Sequence, residues 1–450
     1  MLYPLSYGRM ALRAAVDDTG SERRSPNWKH VTRGTPPGRI PGMNTLSGRW
    51  GMRSDVLRHG DGHDSSRVGY VELFFDLVFV FAVTQLSHSL IEHPDGMTFL
   101  HTIILGWAIW WLWIDTTWVT GWLDPERVPV RAMLLVLMLL GLLMSSAVPE
   151  AFEDKALLFA VPYVVIQVGR TLFTVWAMGR HWPENAMNFI RIAVWLSVSG
   201  AFWVLGALAH DETRLWLWIA AALIDVVGPR ALFRVPGLGA TDPNTWEVRG
   251  AHMAERVSLF LIISLGESII VTGAAFAELE VTPTVIWAFL AAFASTVLMW
   301  LLFFDRSEHS STAYFESRDQ PGMVAQTAYT YVPFLLVAGI VLTAVADELV
   351  LEHPGGDTEP WTAGLICGAT AVYLLGNALF RRATGGRWSV PHLVGTLVVL
   401  AAFALHGAVT PLVLSWLANA VMVGVIVGDV LLERRRTEAP AAAASSASSA

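Results

Sequence analysis

From residue 68 almost to the end of this chain, apolar runs of about twenty residues alternate with short polar connectors. The hydrocarbon core of a bilayer requires about 20 apolar residues per crossing helix, so each run has the length of a span. Twelve candidate spans can be drawn, at 68–91, 98–121, 130–149, 156–178, 188–209, 213–229, 256–276, 282–304, 324–349, 361–380, 388–408 and 411–432. The sixth is short and ends at Gly228-Pro229, a pair that stops helices. The pattern predicts an all-α polytopic membrane protein with about 12 transmembrane helices. Residues 1–66 are polar and rich in Gly, Pro, Ser and Arg, with no apolar run that could form a signal-peptide core. They predict a disordered cytoplasmic leader, in which Met43 and Met52 are alternative starts to Met1. At the other end, TEAPAAAASSASSA predicts a disordered tail over 435–450.

The first span, VGYVELFFDLVFVFAVTQLSHSL over 68–90, interrupts its own apolar pattern with Glu72 and Asp76. At about 1.5 Å rise per residue it covers roughly 35 Å, and its two carboxylates share one face about 6 Å apart. Val80, Val83 and Ser87 continue that face. A carboxylate in hydrocarbon costs about 2.5–3.5 kcal/mol on insertion scales, so a partner charge, a wet path or protonation must compensate it. The plainer alternative puts Glu72 at headgroup level and Asp76 in a packing ion pair.

Composition narrows the class further. The chain is 54% hydrophobic and only 15% charged, with 20 Trp, which fits neither a soluble domain nor a disordered one. Its single cysteine, Cys367, excludes an intrachain disulfide and a cysteine metal cluster. Walker, dinucleotide, HExxH and GxSxG motifs are absent, as is a basic nucleic-acid surface, so no cofactor and no nucleic-acid partner are expected. His252, His309 and His353 flank spans without metal-ligand spacing. The tryptophans of the second span are read as interface anchors and packing groups.

Basic residues orient the chain. With the N-terminus inside, 27 of the 30 Lys and Arg fall in cytoplasmic segments, Lys155 and Arg214 fall outside, and Arg170 lies within a span. The positive-inside rule then predicts that both termini are cytoplasmic. The chain also repeats itself: WWLWID ending at Asp115 matches WLLFFD ending at Asp305, and FFDLVFV matches LGESIIV, which aligns Asp76 with Glu267. GRTLF (from Gly169) matches GNALF (from Gly376), and AFWVLGA (from Ala201) matches AFALHGA (from Ala402). Six spans per half is even, so the pattern predicts two parallel six-helix repeats, at 67–230 and 256–434, joined by a cytoplasmic linker over 231–255.

Depth along the spans selects the charges. Arg170 is about 21 Å into the fourth span, Asp225 lies near the end of the sixth, and Glu267 is about 16 Å into the seventh. Arg256 precedes Glu267 by 11 residues, so both point to one side. Arg170 is read as the one deep basic group, with Asp76, Asp225 and Glu267 as its available partners; Asp115 and Asp305 are read as interfacial. Three deep carboxylates against one arginine suit a cation or proton path, or a relay.

Four ordered passages, VELFFDLVFVFAVTQLSH, VVIQVGRTLF, LIDVVGP with VPGLG, and HMAERVSLFLIISLGESIIVTG, resemble the bacterial low temperature requirement A family over about residues 68–430. The resemblance implies a multi-pass bacterial inner-membrane protein connected with growth in the cold. Its matching polar positions, the candidates for an intramembrane polar or ion pathway, are Glu72, Asp76, Gln167, Arg170, Asp225, His252, Glu255, Arg256 and Glu267. Pro333 stands where that pattern carries histidine. A weaker likeness joins Phe74–Asp76 to the FSD-motif potassium channels, with Phe75 in place of the serine. The leading expectation is a permease or channel-like protein for a small solute or a cation (H+, Na+ or K+). The alternatives are a non-transporting sensor or assembly factor, and an intramembrane enzyme using His252 and Glu255; no catalytic residue is assigned.

The orientation has a direct test. Thiol labelling from the periplasmic side of the single variants Thr437→Cys and Glu212→Cys should mark Glu212→Cys alone. Label on Thr437→Cys with none on Glu212→Cys sinks the topology.

Overall fold

A computed structural model describes residues 56–58, 68–179, 182–242, 250–304 and 326–448. Among these residues there are twelve α-helices. They are α1 (Tyr70–Glu92), α2 (Gly96–Trp122), α3 (Val128–Ser146), α4 (Ala156–Met178), α5 (Pro183–Leu208) and α6 (Asp211–Arg230). The rest are α7 (Gly250–Glu278), α8 (Pro283–Phe304), α9 (Val332–Glu352), α10 (Pro360–Gly385), α11 (Val390–Ala402) and α12 (Pro411–Ser448). Ten are long and apolar enough to cross a membrane. The exceptions are α6, whose 20 residues carry Asp211, Glu212, Arg214, Asp225 and Arg230, and α11, with 13 residues.

Local chemistry sets several boundaries. Asp95 caps α2: its carboxylate accepts the N–H groups of Thr98 and Met97 and the Thr98 hydroxyl, which hold it below the usual carboxylate range. Proline occupies the first turn of α3, α5, α9, α10 and α11, where its missing N–H costs nothing. Pro333 is one of these, entering α9 behind a single π-helical turn over Gln326–Tyr331. Two expected irregular stretches differ. The linker expected over 231–255 is shorter, because α7 begins at Gly250 and takes His252 and Glu255 into the helix. Past residue 434, α12 continues to Ser448 where a disordered tail was expected; alanine, which dominates that stretch, is the strongest helix former. The expected leader lies outside the described residues except at Val56, Leu57 and Arg58. There Val56 and Leu57 are buried, and Leu57 bridges antiparallel to Leu123 at the end of α2.

The bundle turns the soluble pattern inside out. Leu397, Ile270 and Leu139 are 68%, 65% and 60% exposed, while Glu72, Asp76, His252 and Arg256 are wholly buried. That distribution is stable only where the surroundings are hydrocarbon. In the first half α1 packs on α3, α3 on α4, α4 on α5 and α5 on α6; in the second, α7 packs on α9, α9 on α10, α10 on α11 and α11 on α12. The halves meet where α1 and α2 lie against α7 and α9.

Small residues allow the tightest crossing. A Cβ on Gly339 of α9 would come 2.8 Å from the Cβ of Tyr373 and 3.0 Å from that residue's Cα and N on α10. Backbone cannot retreat as a flexible side chain can, so the helices themselves would separate. Gly339→Val is expected to cost about 1–3 kcal/mol through overpacking. A thermal midpoint in detergent equal to that of the unsubstituted protein would contradict so close a contact.

Candidate functional site

Helix α1 reads as a row of polar anchors on an apolar rod, and α7 supplies their partners. Glu72 Oε2 accepts hydrogen bonds from the Gly69 N–H at 2.8 Å and from Arg58 Nη2 at 3.0 Å. Its Oε1 lies 3.1 Å from His252 Nε2 on α7. One turn on, Asp76 Oδ1 accepts from Arg256 Nη2 at 2.8 Å and from Trp113 Nε1 of α2 at 2.7 Å. The Arg256 guanidinium also sits 5.7 Å from the Trp113 ring, a cation–π distance. Further along, the Thr84 hydroxyl is 2.6 Å from Glu267 Oε1. The pairs 72–252, 76–256 and 84–267 advance together, so α1 and α7 run parallel.

This arrangement corrects two expectations. Arg256, not Arg170, is the counter-ion of Asp76, and both side chains are fully buried. The repeat match aligns Asp76 with Glu267, yet Arg256 is level with Asp76, and Glu267 lies 11 residues, about 16 Å, farther along α7. The expectation that Arg256 and Glu267 face one side of α7 agrees with their shared contact to α1. Glu255 is half-buried on α7 and takes no part in these contacts.

Arg170 organises a separate network inside the first half. Its guanidinium donates to the Leu112 carbonyl at 3.2 Å, to Thr116 Oγ1 at 2.8 Å and to Gln167 Oε1. Its carboxylate partner is Asp115 at 3.5 Å, the residue that depth along the helix assigned to the interface. Gln167 continues to the Tyr163 hydroxyl at 3.4 Å, which donates to Asp225 at 3.0 Å, so the network joins α2, α4 and α6. Asp225 thus belongs to the same network as Arg170 through two intermediate side chains. The second half has a counterpart between α10 and α12, where Arg381 donates to Asp429 at 2.8 Å. Ser389 bridges that carboxylate at 3.2 Å to the buried His392 at 2.8 Å.

Arg58, Trp113, Asp115, Tyr163, Arg381, His392 and Asp429 were missed by sequence reasoning. One signal was available: Asp429 stands in VGDVLL much as Asp225 stands in IDVV. Arg58 had none, because its place depends on the bridge beside Leu123.

Away from the charged end lies a cavity of about 270 Å³ between the halves. It is lined by Val83 and Leu86 of α1, residues 99–110 of α2, Phe260 of α7, residues 334–342 of α9, and Val372 of α10. None of the nine candidate pathway residues lines it. Phe260 packs on Trp113 at 4.3 Å and on Trp110 at 6.0 Å, forming an aromatic floor between the cavity and the Asp76–Arg256 pair. Among the described residues no group of three or more His, Cys, Asp or Glu could hold a metal ion.

Removing one member of a buried pair strands the other, at a cost of about 3–5 kcal/mol. Arg170→Leu is therefore expected to lower abundance and thermal stability, with partial recovery on adding Asp115→Asn. Recovery by Asp76→Asn or Glu267→Gln, in place of Asp115→Asn, would overturn the assignment.

Comparison with known proteins agrees with the inside-out bundle. The chain matches the family described as bacterial low temperature requirement A protein over residues 67–427. A relative from Rhizobium meliloti (strain 1021), itself described as an uncharacterized protein, is 36% identical over 378 residues, 84% of this chain and 92% of that one. No solved structure matches the chain. With ten helices suited to crossing a membrane and a match over most of its length, this chain is a multi-pass membrane protein belonging to the bacterial low temperature requirement A family.

Proposed function

We propose that this chain is a permease of the bacterial plasma membrane, built from two parallel six-helix repeats, with α6 and α11 as its shorter crossings and both termini cytoplasmic. The observation that carries the reading is a clamp across the halves at one end of an inter-half cavity. Glu72–His252 and Asp76–Arg256 join α1 to α7, and Tyr331 joins α9 to the end of α6 through the Val226 carbonyl at 3.3 Å and the Arg230 guanidinium at 4.6 Å. The distribution of Lys and Arg makes that end cytoplasmic. The clamp then acts as an inner gate, closed in this conformation.

The repeat is supported by the recurrence of neighbours: α1–α3 with α7–α9, α5–α6 with α11–α12, and α2–α6 with α8–α12. The ties Tyr163–Asp225 and Arg381–Asp429 add to it, each joining the fourth helix of a half to its sixth. The gate is poised rather than locked. Among the described residues, Asp76 Oδ2 and Arg256 Nε and Nη1 are buried without hydrogen-bond partners, so the pair's desolvation is only partly compensated. Of the two cargo classes, a small solute is favoured over a cation, because the cavity between the halves lacks acidic lining.

A non-transporting sensor or assembly factor is the second reading, favoured by the closure of each deep carboxylate on α1 by a partner on α7. Accessibility separates the two. In a Cys367→Ser protein, Val83→Cys on the cavity wall should resist an impermeant maleimide applied from the cytoplasmic side. Adding Asp76→Asn and Arg256→Gln, which keep the shape and remove the charges, should expose it. Equal labelling with and without the pair would sink the gate.

A further inference from the structure

The cavity's lining is more selective than its position requires. Of its side chains only Thr102 and Trp110 carry hydrogen-bonding groups, and both are already engaged. The Thr102 hydroxyl donates to the Thr98 carbonyl at 2.8 Å, and Trp110 Nε1 donates to the Thr330 carbonyl at 2.7 Å. A water inside would lack the two to four polar partners that hold buried waters, so the space is dry. A charged or strongly polar solute would surrender its hydration with nothing to replace it. Apolar cavities of about 150 Å³ already take up benzene-sized molecules, and this one is about 270 Å³. Phe99, Trp110, Phe260 and Phe334 give it aromatic faces, and the nearest ion pair is screened by the Phe260–Trp113 contact. Ile103, on its wall, is 44% exposed within the spanning part of α2, so the rim reaches the bundle surface.

We propose that this cavity is a binding site for a neutral, hydrocarbon-like small molecule that enters from the bilayer. The proposal rests on the permease reading for its role as the cargo site. Binding itself is independent of the gate. A ligand here gains by displacing no ordered water and by filling contacts that the lining otherwise lacks.

The test uses the full chain in lipid nanodiscs and adamantyl diazirine, a compact apolar photoprobe, with labelled peptides mapped by mass spectrometry. Saturable labelling of the segments 99–110 and 334–342 is expected, competed by 1-adamantanol and not by charged 1-adamantylamine. Ala338→Trp, which fills the cavity, should abolish the saturable component. Val341→Ala, which enlarges the cavity, should retain it and guards against a variant that misfolds. Labelling of lipid-facing α3 should stay non-saturable in every variant. Labelling of the cavity segments that never saturates, or that Ala338→Trp leaves intact while α3 is unchanged, would overturn the proposal. Competition by the amine as strong as by the alcohol would overturn its neutral specificity. Any of these failures leaves the Val83→Cys accessibility result standing, and failure of the gate leaves the binding result standing.

Discussion

A charge inside hydrocarbon has no solvent to fall back on, so its partner must come from another helix, and the pairing decides which helices touch. Among the described residues, the deep ionic contacts between helices join α1 to α7, α2 to α4 and on to α6, and α10 to α12. The apolar surface that holds soluble folds together cannot choose among these partners, because lipid is as good a neighbour for leucine as another helix is. Specificity therefore comes from the few polar groups and from close approaches at small residues such as Gly339.

The ionic contacts divide by what they join. Arg170 with Asp115, Gln167, Tyr163 and Asp225 closes the first half on itself, and Arg381 with Asp429 does the same for the second. Those networks are internal to each half. Glu72–His252 and Asp76–Arg256 cross from one half to the other, so they are where relative motion would be felt. Arg58, contributed from before the first helix, adds its charge to the Glu72 side and couples that segment to the crossing.

Between the halves, the ion pairs are separated from the apolar cavity along the helix axes, whereas the Thr84–Glu267 contact lies level with the cavity wall. The ion pairs, the Trp113 indole and the Tyr331 contacts occupy one end, and the apolar cavity lies beyond the aromatic floor. In a low-dielectric setting this separation keeps the charges strong for one another and hidden from whatever fills the cavity. The same geometry gives both a clamp and a compartment from a few side chains on α1, α2, α7 and α9.

The membrane class and ten of the twelve expected spans were legible in the sequence, because an apolar run of bilayer length is seldom stable except as a crossing helix and needs no tertiary partner to be recognised. So were most of the polar positions: Glu72, Asp76, Arg170, Asp225, His252, Arg256 and Glu267 stand out as charges where charges are expensive. Partnership was not legible. Helical depth placed Arg170 beside three carboxylates and Asp115 at the interface, yet the pair that forms is Arg170 with Asp115, and Asp76 goes to Arg256. Depth along a helix is a property of one segment, whereas a contact depends on how two helices rotate and slide against each other. Arg58 and the apolar cavity were invisible for the same reason: one depends on a bridge to Leu123, the other on the space left where five helices meet.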